Sequence, residues 1–180
     1  MIADTIMSGS PIAGVMMSAM IAMMFVGALM KIGVTPLDQT ALIRPLMPAE
    51  GTLTSRAPSE TERRDMEFGL QMAREIGRLD VGQTAVVKDM AVMALEAIEG
   101  TDACIRRGGQ LAGSGAVVAK AAKPQQDSRF DVPAVGLDTI ESLVSVKASA
   151  LAIEAGKTLF IDKERAVALA EANGITIAAL

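Results

Sequence analysis

Short apolar segments alternate with helix signals over the part of the chain that follows residue 58. Apolar segments that are bounded by turn residues are typical of strands. The predicted strands are Val81–Lys88, Ala91–Ala97, Ala116–Ala119, Ala150–Ile153, Thr158–Ile161 and Ile175–Ala179. Asp89-Met90 is predicted to join the first two as a tight hairpin. This alternation predicts an α/β fold, with a mixed sheet covered by helices and preceded by an apolar N-terminal helical segment.

Helices are predicted between these strands, and the first has the clearest start. Ser59 and Glu62 have the spacing of a capping box. The helix that follows, from Glu60 to about Arg78, places four apolar side chains on one face: Met66, Leu70, Ala73 and Ile76. The later helices are predicted from a cap at Thr101 or Asp102 to about Gly108, from about Leu137 to Lys147, and from a cap at Asp162 to Asn173-Gly174.

Composition narrows the class of function. At 180 residues, 51% of them hydrophobic, the chain is long enough for one domain, or for one domain with an appendage. Its net charge of −4 and pI near 4.9 supply no basic field, so nucleic acid is not expected as a partner. There is no His and one Cys, Cys104, which is interpreted as a small buried residue. Any chemistry therefore rests on carboxylates, cations, amides and hydroxyls.

Residues 1–31 are predicted to form a separate apolar, Met-rich segment. No charged residue occurs from Thr5 to Met30. Ile12–Met30 is nearly long enough to span a bilayer, and the positive-inside rule places its C-terminal side in the cytoplasm. The alternative is a pair of packed helices whose Met side chains fill an interior or a partner's groove. Either structure predicts a chain that is associated with the inner membrane, peripherally or by an anchor, or is a homo-oligomer.

Residues 32–58 are predicted to be a connector. Prolines and a glycine punctuate this stretch, and a short strand is expected at Val34–Leu37. The α/β domain proper is then residues 59–180.

A highly charged loop with no apolar period follows the strand Ala116–Ala119. Lys120, Lys123 and Arg129 have the charge to neutralise a phosphate or a diphosphate. Asp127 and Asp131 are hard oxygen ligands of the kind that hold Mg²⁺ together with several waters. The alternative is a solvated connection whose charges pair with one another.

Three polar loops are predicted to lie at one edge of the sheet. They follow Ala97, Ala119 and Ile153, and in sheets of this kind ligands collect beyond the carboxyl ends of strands. Gly113-Ser-Gly115 precedes a strand instead of opening a helix, so a dinucleotide-binding loop is not predicted.

Several ordered motifs resemble one family. They are Asp80–Lys88, Glu96–Asp102, Lys123–Pro133, Val135–Thr139 and Glu154–Thr158. Together they resemble the C-terminal domain of the LpxI-type UDP-2,3-diacylglucosamine pyrophosphatases of lipid A biosynthesis. The resemblance implies a hydrolase that uses Mg²⁺, or Mn²⁺ in its place. Its products would be UMP and 2,3-diacylglucosamine 1-phosphate, formed at the cytoplasmic face of the inner membrane.

The resemblance also implies roles for particular residues. Asp127 matches the catalytic aspartate of the family, and Asp127 with Asp131 would hold the metal. The residues expected to bind the substrate and its phosphates are Lys120, Lys123, Gln126, Arg129 and Thr101. For Thr101 a helix cap is the favoured explanation, because a cap is expected there even without a ligand. Glu154 is explained either as turn chemistry or as an orienting residue.

The chain also departs from the family. Family members are longer and begin with a Rossmann-like half, where this sequence has the uncharged Met-rich segment. A second hypothesis is therefore a non-catalytic, membrane-anchored module that binds phosphosugars.

Overall fold

The computed structural model describes residue 24 and residues 27–34, 40–125 and 132–180. The chain divides into two compact units, Met1–Asp38 and Gln39–Leu180. Most of the predicted apolar segment 1–31 and most of the predicted strand Val34–Leu37 fall outside the described residues. Within the described residues, no helix has both the length and the apolar character needed to cross a bilayer.

Helices and strands alternate through the second unit. Its helices are α1 (Thr40–Ile43), α2 (Glu60–Arg78), α3 (Thr101–Ala112), α4 (Leu137–Ser145) and α5 (Lys163–Ala172), with a 3₁₀ turn at Arg44–Leu46. Its strands are β1 (Gly51–Thr52), β2 (Thr84–Lys88), β3 (Ala91–Leu95), β4 (Val117–Lys120), β5 (Ala134–Val135), β6 (Ala150–Ile153), β7 (Leu159–Phe160) and β8 (Thr176–Ala179). The predicted α/β class is confirmed.

Six strands form one mixed sheet in the order β1-β8-β6-β4-β2-β3. Strands β4, β6 and β8 are parallel, whereas β2 is antiparallel to both β4 and β3. Strand β3 therefore points the same way as β4, and the chain leaves β3, β4 and β6 at one edge, here called the carboxyl edge. The opposite edge is the amino edge. The prediction that three polar loops share an edge is thus correct for the sheet.

Two strands of the structure differ from the prediction. Strand β1 lies in the predicted connector, at residues where no strand was predicted. It pairs antiparallel with β8 and is the outermost strand on one side of the sheet. Strand β7 does not join the main sheet but pairs with β5 in a separate parallel pair.

The two faces of the sheet differ in side-chain size. Helix α2 packs on β2, β4 and β6 over a face of small residues, among them Ala85, Ala119, Ala150, Ala152 and Ala178. Successive strand residues point to opposite faces, so the other face carries Val86, Val118, Leu151, Ile153 and Ile177, which pack with α3, α4 and α5. A Cβ at Gly69 of α2 would lie 2.7 Å from the Cβ of Ala119, so the helix sits very close to the sheet.

Helix α3 is longer than predicted, since the glycines near its expected end lie inside the helix and allow close packing. The helix does not end at Gly108 but continues to Ala112. A Cβ on Gly108 would lie 2.5 Å from the Cβ of Val86, and one on Gly109 would lie 2.3 Å from the Cβ of Val146. Glycine is therefore explained here by close approach of helix and neighbour, not by a helix end.

The amino edge is held by Arg56 and the capping box of α2. The predicted box is present: Ser59 Oγ accepts from the N–H of Glu62, and the Glu62 carboxylate accepts from the N–H of Ser59. The Arg56 guanidinium donates two bonds of 2.8 Å to Glu62. It also donates to the carbonyl of Ser149, directly before β6, and to the carbonyl of Gly174, two residues before β8.

A second carboxylate at the amino edge fixes the β2–β3 hairpin. The predicted turn at Asp89-Met90 is confirmed, and both residues have positive φ, 52° and 60°. Asp65 of α2 is 3% exposed, and its two oxygens accept from the N–H groups of Asp89 and Met90 at 2.9 and 2.7 Å. The buried charge is thus bonded on both oxygens, which offsets its loss of water.

The last helix begins differently from the prediction. Asp162 occupies the residue before α5 with a φ of 48°, but among the described contacts its side chain makes no capping hydrogen bond. Its carboxylate instead lies 3.5 Å from Arg165. The predicted end is confirmed, because Gly174 follows Asn173 with a φ of 70°.

Candidate active site

A polar cleft of about 530 Å³ opens at the carboxyl edge. Its walls come from the first turns of α3 and α4, the end of β4, strand β5 and the residues after β7. The lining residues are Thr101, Asp102, Lys120, Ala134, Val135, Gly136, Leu137, Asp138, Thr139, Ile161 and Asp162. Two of the residues predicted to bind phosphate, Lys120 and Thr101, therefore lie together in this cleft.

Lys120 is the last residue of β4, and its side chain is held by neutral oxygens. Only 6% of the residue is exposed. Its Nζ donates to Thr101 Oγ1 at 3.1 Å and to the carbonyl of Ala134 at 2.9 Å. Burial lowers the pKa of Lys120, and the nearby charges of Glu96 and Asp102 act in the opposite direction. Among the described residues, the third hydrogen of the ammonium has no acceptor. A buried ammonium of this kind is a good donor to an anionic ligand.

Glu96 is a site residue that the sequence analysis did not single out. It follows β3, is 8% exposed, and accepts from Thr101 Oγ1 at 3.2 Å. Its other oxygen lies 3.4 Å from the N–H of Gln83. The predicted strand Ala91–Ala97 included Glu96, whereas the observed strand ends at Leu95. The signal in the sequence was a single carboxylate near the carboxyl end of an apolar strand.

The first turn of α3 does not use Thr101 or Asp102 as its cap. The N-cap is Gly100, with a φ of 81°. The Asp102 carboxylate accepts from Ser142 Oγ of α4 at 3.2 Å, and Ser142 Oγ accepts from Arg106 at 3.3 Å. Because neither side chain caps the helix, the interpretation of Thr101 as a cap is wrong and its hydroxyl belongs to the cleft.

Glu99 lies in the same loop but turns away from the cleft. Its carboxylate pairs with Arg107 and accepts from the N–H of Ala97. The hydrogen bond from Arg107 is the main cause of the lowered pKa of Glu99. Glu99 is therefore an exposed structural contact.

The charged loop begins with residues that are tied to α2. Lys123 Nζ pairs with Asp80 at 2.8 Å, and Gln125 Nε2 donates to the carbonyl of Gly77 at 2.7 Å. The structure thus places Lys123 beside the end of α2, and Lys123 is not among the described residues that line the cleft.

Glu154 follows β6 at the same edge and is 6% exposed. Lys157 lies 2.9 Å and Arg74 lies 3.2 Å from one of its oxygens, and the N–H of Ala122 donates to the other at 2.9 Å. Burial would raise the pKa of Glu154, but the bonds from Lys157 and Ala122 and the charges of Lys157 and Arg74 lower it overall. Glu154 therefore orients the backbone after β4.

Four predicted site residues fall outside the described residues: Gln126, Asp127, Arg129 and Asp131. The flanking residues are described, and Ala134, which follows shortly after, lines the cleft. Within the described ranges there is no group of three or more His, Cys, Asp or Glu side chains that would hold a metal ion.

The fold and the cleft together define an α/β domain with a polar cleft, which contains the ammonium of Lys120, at the carboxyl ends of its strands. Residues 49–178 match the model of the LpxI C-terminal domain, so the chain belongs to the LpxI family. The UDP-2,3-diacylglucosamine pyrophosphatase LpxI of Caulobacter vibrioides is 38% identical over 135 residues, which cover 71% of this chain and 48% of that protein. The chain thus spans about half the length of the curated relative that it matches.

Proposed function

We propose that this chain provides the catalytic domain of a hydrolase that splits the pyrophosphate bond of UDP-2,3-diacylglucosamine. The products are UMP and 2,3-diacylglucosamine 1-phosphate, in lipid A biosynthesis. Family membership supports the reaction class. The observation that carries the proposal is the buried ammonium of Lys120 in the polar cleft. Among the described residues it has two neutral partners, and its third hydrogen has no acceptor.

Recognition of the diphosphate starts from Lys120. Inside a low-dielectric cleft, a charged donor bonds an anion more strongly than it would at the surface. Thr101 lies beside Lys120 and keeps it in place. Lys123, Gln126 and Arg129 are proposed to supply further contacts to the diphosphate, with the guanidinium suited to two phosphate oxygens at once.

The donor set at this edge fits Mg²⁺ better than a softer metal. The chain has no His, and the cleft is lined by the carboxylates of Asp102, Asp138 and Asp162. Mg²⁺ is commonly held by one or two carboxylates, with waters and substrate phosphates filling the remaining positions, so a cluster of three protein ligands is not required. Asp127 and Asp131 are proposed as its ligands, with Mn²⁺ as a substitute. A bound Mg²⁺ offsets the negative charge of the diphosphate.

The reaction proposed is hydrolysis by water. Asp127 orients a water for attack on one phosphorus, and a new P–O bond forms. The bridging P–O bond breaks, and its electron pair stays on the bridging oxygen, which leaves with the other phosphate. The protons of the water end on the two phosphate products or in solvent. Lys120 stabilises the negative charge on the diphosphate oxygens during this exchange.

The apolar part of the cleft is consistent with an acylated substrate. Leu137 and Ile161 line it, and Ile161 is 55% exposed although it is a large aliphatic residue. A lipid-linked sugar would cover this surface, and we propose that the protein meets its substrate at the surface of the inner membrane.

Substitution of Asp127 tests the proposal. Asp127→Asn keeps the size of the side chain but removes its charge, so hydrolysis of UDP-2,3-diacylglucosamine with Mg²⁺ should fall by at least about 100-fold. The matched control is Asp89→Asn, which makes the same change at the amino edge, in a turn conformation that Asn tolerates. The control should retain the parent rate.

The same assay separates the two hypotheses. If the parent releases no UMP but its melting temperature rises with UDP-N-acetylglucosamine, the chain is a binding module. If the parent is active and Asp127→Asn stays within a few-fold of it, the catalytic role of Asp127 is wrong.

A further inference from the structure

Three side chains, of which Glu96 and Lys120 are buried, form a chain of hydrogen bonds that ends at the cleft. Glu96 Oε1 accepts from Thr101 Oγ1 at 3.2 Å, and Thr101 Oγ1 accepts from Lys120 Nζ at 3.1 Å. They come from three different places in the sequence, namely the loop after β3, the first turn of α3 and the end of β4. Of these three residues, Lys120 and Thr101 line the cleft and Glu96 does not, so Glu96 lies behind them.

The number of hydrogens on each group fixes the direction of every bond. A hydroxyl has one hydrogen, and an ionised carboxylate has none. The hydrogen of Thr101 therefore goes to Glu96, and the lone pairs of Thr101 Oγ1 face Lys120. Thr84 Oγ1 lies 3.4 Å from Thr101 Oγ1 and can only donate to it. Because Thr101 cannot also donate to Lys120, Lys120 is the donor in their bond.

This arrangement accounts for two of the three hydrogens of the Lys120 ammonium. One goes to Thr101 and another to the carbonyl of Ala134, which belongs to β5. Within the described part of the chain, no carboxylate forms an ion pair with Lys120. Among the described residues, the charges that act on Lys120 are those of Glu96, behind Thr101, and of Asp102. Asp138 and Asp162 line the same cleft.

We propose that Glu96 is a positioning residue, which through the Thr101 hydroxyl holds the Lys120 ammonium with one N–H free for an anion in the cleft. The proposal rests on the proposed function for the identity of that anion, a diphosphate. It assigns to Glu96 an effect on ligand affinity although a second side chain separates it from the ligand.

A glutamine at position 96 cannot accept both of the hydrogen bonds that Glu96 accepts. Glu96 accepts from two donors, the hydroxyl of Thr101 and the N–H of Gln83, with one oxygen for each. An amide has one oxygen and one NH₂ group, so one of these two donors would face another donor. In either orientation of the amide the charge of residue 96 is lost, and the bond from Thr101 is either broken or accepted by a weaker, neutral oxygen. The Thr101 hydroxyl is then held less firmly, and Lys120 loses a fixed acceptor.

The direct test observes the lysine ammonium by NMR in the full chain labelled with ¹⁵N-lysine. A buried, bonded ammonium exchanges slowly with water and gives a signal, and Lys120→Met assigns it by its loss. We expect the signal to be lost in Glu96→Gln and in Thr101→Val, and kept in Thr101→Ser, which retains the hydroxyl. Glu99→Gln, the same change in the same loop, is the control and should keep it.

The functional test titrates inorganic pyrophosphate into the same variants. Loss of a contact of this type corresponds to about tenfold in affinity. Glu96→Gln and Thr101→Val should bind pyrophosphate about tenfold more weakly than the parent, and Thr101→Ser should match it. Melting temperatures of all variants establish that they are folded, and Thr101→Val carries the test if Glu96→Gln does not fold.

The outcomes separate this inference from the proposed function. If Glu96→Gln and Thr101→Val keep both the ammonium signal and the affinity of the parent, the role of Glu96 is wrong. If Thr101→Ser behaves like Thr101→Val, the hydroxyl is not the link and the inference is also wrong. If pyrophosphate has no effect on the parent, the proposed function fails, whereas loss of the signal in Glu96→Gln would still support the positioning of Lys120.

Discussion

The two edges of the sheet use buried charge in different ways. At the amino edge, Glu62 and Asp65 each have a partner for both oxygens, and Arg56 reaches a carboxylate and two carbonyls. At the carboxyl edge, Lys120 is buried against neutral oxygens, and one of its hydrogens has no acceptor in the part of the chain that the structure describes. Complete pairing is typical of structural contacts, while a buried charge with spare bonding capacity is typical of a binding site. The comparison predicts that substitutions at the two edges have opposite signatures.

The largest effect is expected from Lys120→Met, which removes the ammonium and keeps an apolar side chain of similar length. Hydrolysis should fall by at least about 100-fold, because the cleft loses its buried cation. The free energy of unfolding should change little. Removal of the buried ammonium removes its desolvation cost, which stabilises the folded state. Loss of the donor to Thr101 and to the Ala134 carbonyl destabilises it, and the two effects oppose each other.

Steady-state rates and urea unfolding of the same preparations check this prediction. A loss of stability of several kcal/mol, with the rate per folded molecule unchanged, would place Lys120 with the structural residues of the amino edge and remove the contrast between the edges.

Arg56→Met should show the opposite signature. It removes a bidentate pair to Glu62 and two bonds to the carbonyls that precede β6 and β8. Because the Arg56 side chain is 46% exposed, we expect an intermediate loss of about 1–2 kcal/mol in the free energy of unfolding. The rate of hydrolysis per folded molecule should be unchanged. Urea unfolding curves and active-site titration check both statements, and a lower rate in the folded variant would contradict them.

Sequence reasoning predicted local structure well wherever a short pattern determines it. The capping box at Ser59, the hairpin at Asp89-Met90 and the strand Ala150–Ile153 were each predicted at their observed positions. These features depend on residues that are close in the sequence, so propensity and spacing are sufficient.

Contacts between distant segments could not be predicted in the same way. Gly108 was taken for a helix end because its close approach to Val86 depends on how α3 packs on β2. Thr101 and Lys120 were selected separately, but nothing in their spacing indicated the bond between them. Glu96 was missed because a single glutamate after a strand has no distinctive pattern until the fold brings it to Thr101.

The pH dependence of stability provides a further test of the amino edge. Burial would raise the pKa of Glu62, but its bonds to Arg56 and Ser59 lower it to about 2, from 4.5. A lowered pKa means that this contribution is fully present above pH 4.5 and is lost as the pH falls toward 2. We expect a loss of about 2 kcal/mol over this range, less than the full shift implies because Arg56 is half-exposed.

Urea unfolding at a series of pH values measures this dependence, with Glu62→Gln as the control. Gln at this position still supports the capping box, so the variant removes the titrating charge without removing the cap. The parent should lose more stability than Glu62→Gln between pH 4.5 and 2. Equal slopes would mean that the Arg56–Glu62 pair contributes nothing in solution.

The smallest effect is expected from Glu154→Gln, at the carboxyl edge. Glu154, like Glu62, is a carboxylate with little exposure that pairs with an arginine. Its partners Arg74 and Lys157 have side chains that are 46% and 62% exposed and remain hydrated without it. The glutamine oxygen can still accept from the N–H of Ala122. We expect a loss of at most about 1 kcal/mol in the free energy of unfolding.

Because the pKa of Glu154 is lowered, this loss should appear at neutral pH and shrink as the pH falls below the ordinary pKa range of a glutamate. Urea unfolding of Glu154→Gln beside Arg56→Met measures the contrast. A larger loss in Glu154→Gln would show that the carboxyl edge also holds the fold together, and that pairing alone does not distinguish structural charges from those of the site.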